Sequence, residues 1–249
     1  MSKILTLERL YYPDSKSLGA LVAGLSGSGK TTAVLSTLQQ AIKKGAGFGE
    51  SHRFVIVDPK TQPGDYDILA EPVLDADSAL ESITQNRVTV LWPDLDSMEL
   101  EVDTLIDGIF RMSENDEEGS LSFTFVLDEA SILITPTRIP KSLKRLAVQG
   151  RAKRIKPVFL SQRPIVNRWT DANLSTMLLF NTLPVDADTL SRRWGISFEE
   201  HAETIRAVPY SFVFFDMEKA TFSPMSPVEL PKPPARPKKR SAWDFRGLI

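Results

Sequence analysis

Gly24-Leu25-Ser26-Gly27-Ser28-Gly29-Lys30-Thr31 decides the architecture, because it stands between an apolar run, Leu18 to Ala23, and a helix-compatible run that opens Thr32-Ala33-Val34-Leu35. A loop that wraps an anion needs glycines where the backbone bends tightly and aims its N–H groups inward. It then needs a lysine and a hydroxyl at the start of a helix. Gly24, Gly27, Gly29, Lys30 and Thr31 fill those places, and Ser26, Ser28 and Thr32 complete the cradle. With these flanks the stretch reads as a P-loop rather than a flexible Gly/Ser turn. In that reading Lys30 pairs with the β- and γ-phosphates of ATP and Thr31 coordinates Mg²⁺.

Outward from the loop, apolar runs of strand length recur at Phe54 to Val57, Val88 to Trp92, Phe123 to Leu127, Pro157 to Ser161, Met177 to Phe180 and Ser211 to Phe215. Stretches of helical spacing lie between them, at Thr31 to Lys44, Asp77 to Thr84, Met98 to Met112 and Pro140 to Gln149. Alternation of strand and helix predicts an α/β fold with a mostly parallel central sheet flanked by helices. The acidic stretch Ser113 to Ser120 reads as a solvated loop, and prolines crowd in from Ser223 onward. The chain therefore divides into a leader (1–17), a P-loop domain (18–225) and a Pro-rich basic tail (226–249).

The 249 residues are 42% hydrophobic and 25% charged, enough for one sizeable core. Without cysteine, neither a disulfide framework nor a cysteine zinc site is possible, and two histidines make a poor metal cluster. No window approaches 18 uninterrupted apolar residues and no export signal opens the chain, so a soluble protein is expected. The net charge of −2 hides a split: residues 231–249 carry six Lys or Arg against one Asp, leaving an acidic body. A second basic block, Arg138 to Lys156, holds eight positive residues and no acid.

A hydrolytic phosphate site also needs an acid at the end of a buried strand to hold the metal, and a base for the attacking water. Phe123-Thr-Phe-Val-Leu-Asp128-Glu129 offers both, with Asp128 toward Mg²⁺ and Glu129 as the general base. At the end of the next apolar run Gln162 is placed to hydrogen-bond the γ-phosphate or the water, since ligands in open α/β sheets bind at strand ends.

Four segments stand in order: Gly24 to Thr32, Val55-Ile-Val-Asp58-Pro59-Lys60, Val126-Leu-Asp128-Glu129-Ala130, and Gln149-Gly150-Arg151 leading to Ser161-Gln162-Arg163-Pro164. The set resembles the FtsK/HerA superfamily of DNA-pumping ATPases over roughly residues 18–222. Within it the compact chain looks most like the genome-packaging ATPases of tailless double-stranded DNA viruses. The resemblance implies a RecA-like fold of the additional-strand, catalytic-Glu type, with a strand inserted between the two Walker strands. It implies a homo-oligomeric ring, usually a hexamer, with ATP between subunits and double-stranded DNA in the channel. It also implies an arginine finger supplied in trans, for which Arg151, after Gly150, is favoured, with Arg154 next and Arg145 behind them. The viral reading adds a capsid vertex as partner, and the virion or host cytoplasm as location.

Leu143, Leu146, Ala147 and Gly150 share one face of a helix, which leaves Lys141, Lys144 and Arg145 opposite as a stripe of unpaired positive charge suited to a DNA backbone. A solvated face is the equal alternative. The tail's Lys232, Arg236, Lys238, Lys239 and Arg240 suit DNA, an acidic capsid or a membrane surface, and Trp243 and Phe245 could anchor a partner. Three other functions stay open: a cellular or plasmid DNA translocase, an assembly or secretion ATPase that does not act on DNA, and a P-loop kinase. The Asp128-Glu129 pair followed by Gln162 favours hydrolysis over the kinase.

Overall fold

β-Branched and aromatic side chains crowded into runs without polar alternation need cover on both faces, and that requirement organises the molecule. The computed structural model describes residues 10–11, 18–44, 50–164, 167–194, 198–217 and 221–225. Within them the strands are β1 (Gly19–Ala23), β2 (His52–Val57), β3 (Val88–Leu91), β4 (Ser122–Leu127), β5 (Ile155–Ser161), β6 (Leu174–Leu179), β7 (Phe212–Asp216) and β8 (Thr221–Met225). The helices are α1 (Lys30–Lys44), α2 (Ala76–Gln85), α3 (Met98–Glu114), α4 (Lys141–Gln149), α5 (Arg168–Asp171), α6 (Pro184–Trp194) and α7 (Phe198–Ala207).

All eight strands form one sheet in the order β3-β2-β4-β5-β1-β6-β7-β8. The first six pair in parallel, while β7 and β8 are antiparallel additions at one side. Successive side chains on a strand point to opposite faces, so the strands feed two cores. On one face Leu21, Val55, Phe125 and Phe159 pack with Ile83 of α2, Ile106 and Phe110 of α3, and Leu143 and Leu146 of α4. On the other, Val22, Ile56, Val126 and Leu160 pack with Val34 and Leu38 of α1 and with Tyr11 and Tyr66.

This order positions the site in two ways. β5 lies between β4 and β1, so one strand separates the P-loop strand from the strand that ends at Asp128, as the resemblance implies. The carboxyl ends of β1, β2, β4 and β5 share one edge, the edge at which open α/β sheets bind ligands. Because β7 runs against β6, pairing Val213 with Leu179, it starts at that same edge.

Three local features differ from the sequence reading. β8 is an eighth strand hidden by its proline: Pro224 stands opposite Val213 on the edge strand, where a missing N–H is tolerated. Among the described side chains of α6 and α7 the buried apolar residues are Ala187 and Leu190 on one and Phe198 and Ile205 on the other, a spacing that the sequence reading did not pick out. α3 continues to Glu114, two residues into the stretch read as a loop. Of the leader, Leu10 and Tyr11 are described and are buried, with the Tyr11 hydroxyl donating to the Val34 carbonyl at 3.1 Å. The basic tail lies outside the described residues. No helix among the described residues is long and apolar enough to cross a membrane.

Candidate nucleotide site

The P-loop leaves β1 at its carboxyl end and is pinned to both neighbouring strands, Gly24 N donating to Ser161 O at 3.2 Å and Leu25 N to Asn181 O at 2.8 Å. Gly24 has no room for a side chain, because a Cβ there would meet Phe180 Cβ at 2.6 Å. Gly27 and Gly29 adopt φ of 72° and 98°, a region costly for residues with a Cβ, and this lets the loop turn into α1. Lys30, the first residue of that helix, is buried, and its ammonium donates to the carbonyls of Gly24 at 2.6 Å and Leu25 at 3.0 Å. Burial lowers its pKa, against the raising charges of Glu129 and Asp128.

Asp128 follows β4 and is fully buried. One carboxylate oxygen accepts from the Thr31 hydroxyl at 3.1 Å and from the Lys60 ammonium at 3.0 Å; the other accepts from Glu129 N at 2.7 Å. Lys60 also donates to the Thr31 hydroxyl at 3.0 Å, so one cation bridges both oxygens assigned to Mg²⁺. Burial pulls the Lys60 pKa down, but the Asp128 charge and hydrogen bond outweigh it and the net shift is upward. Asp58 is fully buried nearby: one oxygen accepts from Lys60 N at 3.1 Å and the other has no hydrogen-bond partner. Burial first, then the Asp128 charge, push its pKa up to about 6. The buried Tyr66 hydroxyl lies close enough to Asp128 to feel its charge but outside hydrogen-bond geometry, and burial drives its pKa well above the usual tyrosine value.

The chain turns sharply after Asp128. Glu129 takes a left-handed conformation, φ 51° and ψ 44°, unusual for a residue with a long side chain and costing about 1 kcal/mol or more. The turn carries Glu129 into a cavity of about 520 Å³ that it shares with Ser26, Gly27, Gly29, Lys30, Thr31, Thr32, Lys60, Gln62, Asp65, Gln162 and Tyr210. Ser131 donates to its carboxylate at 3.2 Å. Gln162, the first residue beyond β5, is exposed on the cavity wall. Its neighbour Arg163 points elsewhere, into a bidentate pair with the buried Asp186 of α6 at 2.5 to 3.2 Å.

The donor set suits Mg²⁺: a hydroxyl and a buried carboxylate oxygen 3.1 Å apart, already bridged by a cation, with phosphate and water to complete a hard oxygen shell. Bound there, Mg²⁺ would be held by Thr31 and Asp128 and would neutralise charge on the β- and γ-phosphates.

The other sequence candidates lie away from the cavity. Arg151, within the short helical turn Gly150–Lys153, and Arg154, which caps it, stand at the amino end of β5, the length of the strand, about 20 Å, from Gln162. Neither reaches the cavity of its own chain. On α4, Leu143, Leu146 and Ala147 are buried and Lys141 is exposed, but the stripe is not unpaired. Arg145 bonds Asp107 at 3.1 Å and Glu114 at 3.3 Å and lies 4.0 Å over the Phe110 ring, because α3 presents those residues to it. Lys144 rests 3.8 Å over the Trp169 ring.

Sequence reasoning assigned no role to Lys60, Asp58, Asp65 or Tyr210. Lys60 was within reach, because Asp58-Pro59-Lys60 ends a strand on the ligand edge. Nothing local marks Tyr210; only the antiparallel return of β7 brings it to the loop.

No protein-family model matches the chain in sequence, and no curated protein does. Solved structures match its fold. The DNA-packaging ATPase B204 from Sulfolobus turreted icosahedral virus superposes with a TM-score of 0.66 at 16% identity, over 85% of this chain and 98% of that one. The genome-packaging NTPase B204 of Sulfolobus turreted icosahedral virus 2, in complex with AMPPCP, gives 0.64 at 16% identity, covering 85% and 98%. VirB4 of Thermoanaerobacter pseudethanolicus gives 0.59 at 12% identity, covering 86% and 90%. The chain shares its fold with these viral packaging ATPases and with VirB4.

Proposed function

We propose that this protein is an ATP-hydrolysing ring motor that moves double-stranded DNA, and that its task is to package a viral genome into a preformed capsid. The observation that carries the ATPase reading is the meeting of Thr31, Glu129 and Gln162 around one cavity beside the P-loop, with the buried Asp128 bonded to Thr31 behind it. The P-loop amides and Lys30 bind the phosphates and orient the γ-phosphorus. Water attacks that phosphorus, the bond to the β-phosphate oxygen breaks, ADP leaves, and the Glu129 carboxylate takes the proton from the water. Gln162 is placed to orient the water or the γ-phosphate. Hydrolysis is favoured over transfer to an acceptor because Glu129, next to Asp128, lines the cavity together with Gln162, a pair that can hold and activate a water.

DNA as substrate is supported by the likeness to a packaging ATPase and by Lys141, which stands exposed on α4 in a block without acids. The ring is supported by the position of Arg151 and Arg154. At the far end of β5 they can complete a site only on a neighbouring subunit, so Arg151 is assigned as the trans arginine, with Arg154 as the alternative. A hexamer follows from the resemblance, as do a capsid vertex as partner and the virion or host cytoplasm as place of action. A secretion or assembly ATPase is the second reading, and the likeness in fold to the cytoplasmic domain of the Type VII secretion ATPase EccC of Thermomonospora curvata favours it.

One assay decides between them. Steady-state ATP hydrolysis with and without double-stranded DNA is expected to rise severalfold on adding DNA. Hydrolysis indifferent to DNA at every concentration would favour the secretion or assembly reading.

A further inference from the structure

Tyr210 is a surface aromatic in an uncommon place. It is 62% exposed, it takes a left-handed backbone with φ of 62°, and it lines the cavity that holds Lys30 and Glu129. Its ring stands directly on the P-loop, since a Cβ on Gly29 would come within 3.2 Å of Tyr210 Cδ1. Behind the loop the buried Phe180 and Phe212 stack at 4.9 Å, with Phe180 Cε1 3.8 Å from where a Cβ on Gly29 would stand.

The sheet order says which end it is. Across the ligand edge stand Lys60 after β2, Asp128 and Glu129 after β4, Gln162 after β5, the P-loop after β1, and then, past β6, Tyr210 before β7. The groups for the γ-phosphate and its metal lie to one side of the P-loop. Tyr210 lies on the other, two strand spacings or about 10 Å from β1. A nucleoside triphosphate whose γ-phosphate faces Glu129 must extend its base toward Tyr210. An exposed ring on a backbone conformation that few residues accept, beside a phosphate cradle, has the chemistry of a stacking surface.

We infer that Tyr210 is the nucleobase platform of this site and binds the face of a purine or pyrimidine ring. The inference rests on the nucleotide reading proposed above and adds the base-recognising residue to it. Stacking reads a ring face rather than its edge, so the platform accepts ATP and GTP with similar gain.

The test compares binding of ATP and of inorganic tripolyphosphate, both with Mg²⁺, by calorimetric titration of the full chain. Tyr210→Asn removes the ring while tolerating the left-handed backbone, Tyr210→Phe keeps the ring, and Lys30→Ala removes the phosphate lysine. Loss of one base stack is expected to raise the Kd for ATP roughly 5- to 150-fold in Tyr210→Asn. Tripolyphosphate affinity should stay within about twofold, and Tyr210→Phe should behave as wild type. Lys30→Ala should weaken both ligands. If Tyr210→Asn weakens ATP and tripolyphosphate equally, the ring only props the P-loop and the inference is overturned. An unchanged Kd for ATP overturns it as well. If the wild-type protein binds neither ligand, the nucleotide reading itself fails, an outcome distinct from the other two.

Discussion

Lys60 Nζ lies 3.0 Å from Asp128 Oδ2 and 3.0 Å from Thr31 Oγ1, so the two oxygens best suited to a magnesium ion hold an ammonium between them. Asp128 is fully buried and Asp58, also buried, stands beside it, so the Lys60 charge offsets two carboxylates that would otherwise repel in a poorly solvated place.

Lys60→Met is expected to lower stability by about 1–2 kcal/mol, less than a fully buried pair would cost because the lysine is a third exposed. Thermal melts with and without Mg²⁺ and ATP check this, since a bound cation should recover part of the loss. An unchanged melting temperature would mean that the pair contributes no net stability.

His52 gives a pH dependence whose sign can be worked out. Its ring nitrogens contact Ser122 Oγ at 2.8 Å and Thr124 Oγ1 at 2.9 Å, and burial, then Arg87, Arg53 and Arg154, push its pKa down to about 3. The unfolded chain takes up this proton near pH 6.5 and the folded one does not, so stability is full above that pH and is lost as pH falls from 6.5 toward 3. Asp58, raised to about 6, works in the opposite direction, becoming less destabilising as it protonates. The comparison is therefore between wild type and His52→Gln. Between pH 7 and pH 5 the wild type should lose about 2 kcal/mol relative to the variant in denaturant titrations. Parallel pH profiles would show that His52 is protonated in the fold.

The stripe on α4 should divide by residue. Arg145→Ala should cost about 1 kcal/mol of stability, because it removes contacts to Asp107, Glu114 and Phe110. Lys141→Gln should leave the melting temperature unchanged. If Lys141 and Lys144 contact DNA phosphates, the double Gln variant should flatten the slope of log affinity against log salt by about 1.8. A wild-type slope would make the stripe a solvated face.

For the trans arginine, Arg151→Ala subunits mixed with Lys30→Ala subunits should recover hydrolysis that neither has alone, because a mixed interface can pair an intact P-loop with an intact arginine. Absence of recovery at every ratio, with assembly confirmed by sedimentation, would exclude Arg151 and point to Arg154.

What could be read from the chain and what could not follow from range. Gly24 to Thr31, the strand ending at Asp128 and Gln162 are local: each couples an apolar run to the polar residue at its end, so periodicity and strand-end chemistry suffice to place them on one edge. The pairings of Arg145 depend on how α3 packs against α4, and no spacing within α4 announces Asp107 or Glu114. Tyr210 reaches the P-loop through the reversal of β7, a long-range event with no local signature. β8 was hidden for the opposite reason, a strong local signal: Pro224 begins the proline-crowded stretch and argues against a strand, and only its place on the sheet edge makes it compatible with one.

The central claim is that Lys30 binds phosphate while Glu129 activates water, and the direct test is to measure ATP affinity and turnover on the same preparations of Lys30→Ala and Glu129→Gln. The account predicts that Lys30→Ala loses tight ATP binding. Glu129→Gln should keep a Kd within about threefold of wild type while turnover falls by about 10²- to 10⁴-fold. Equal loss of binding in both variants, or turnover preserved in Glu129→Gln, would contradict it.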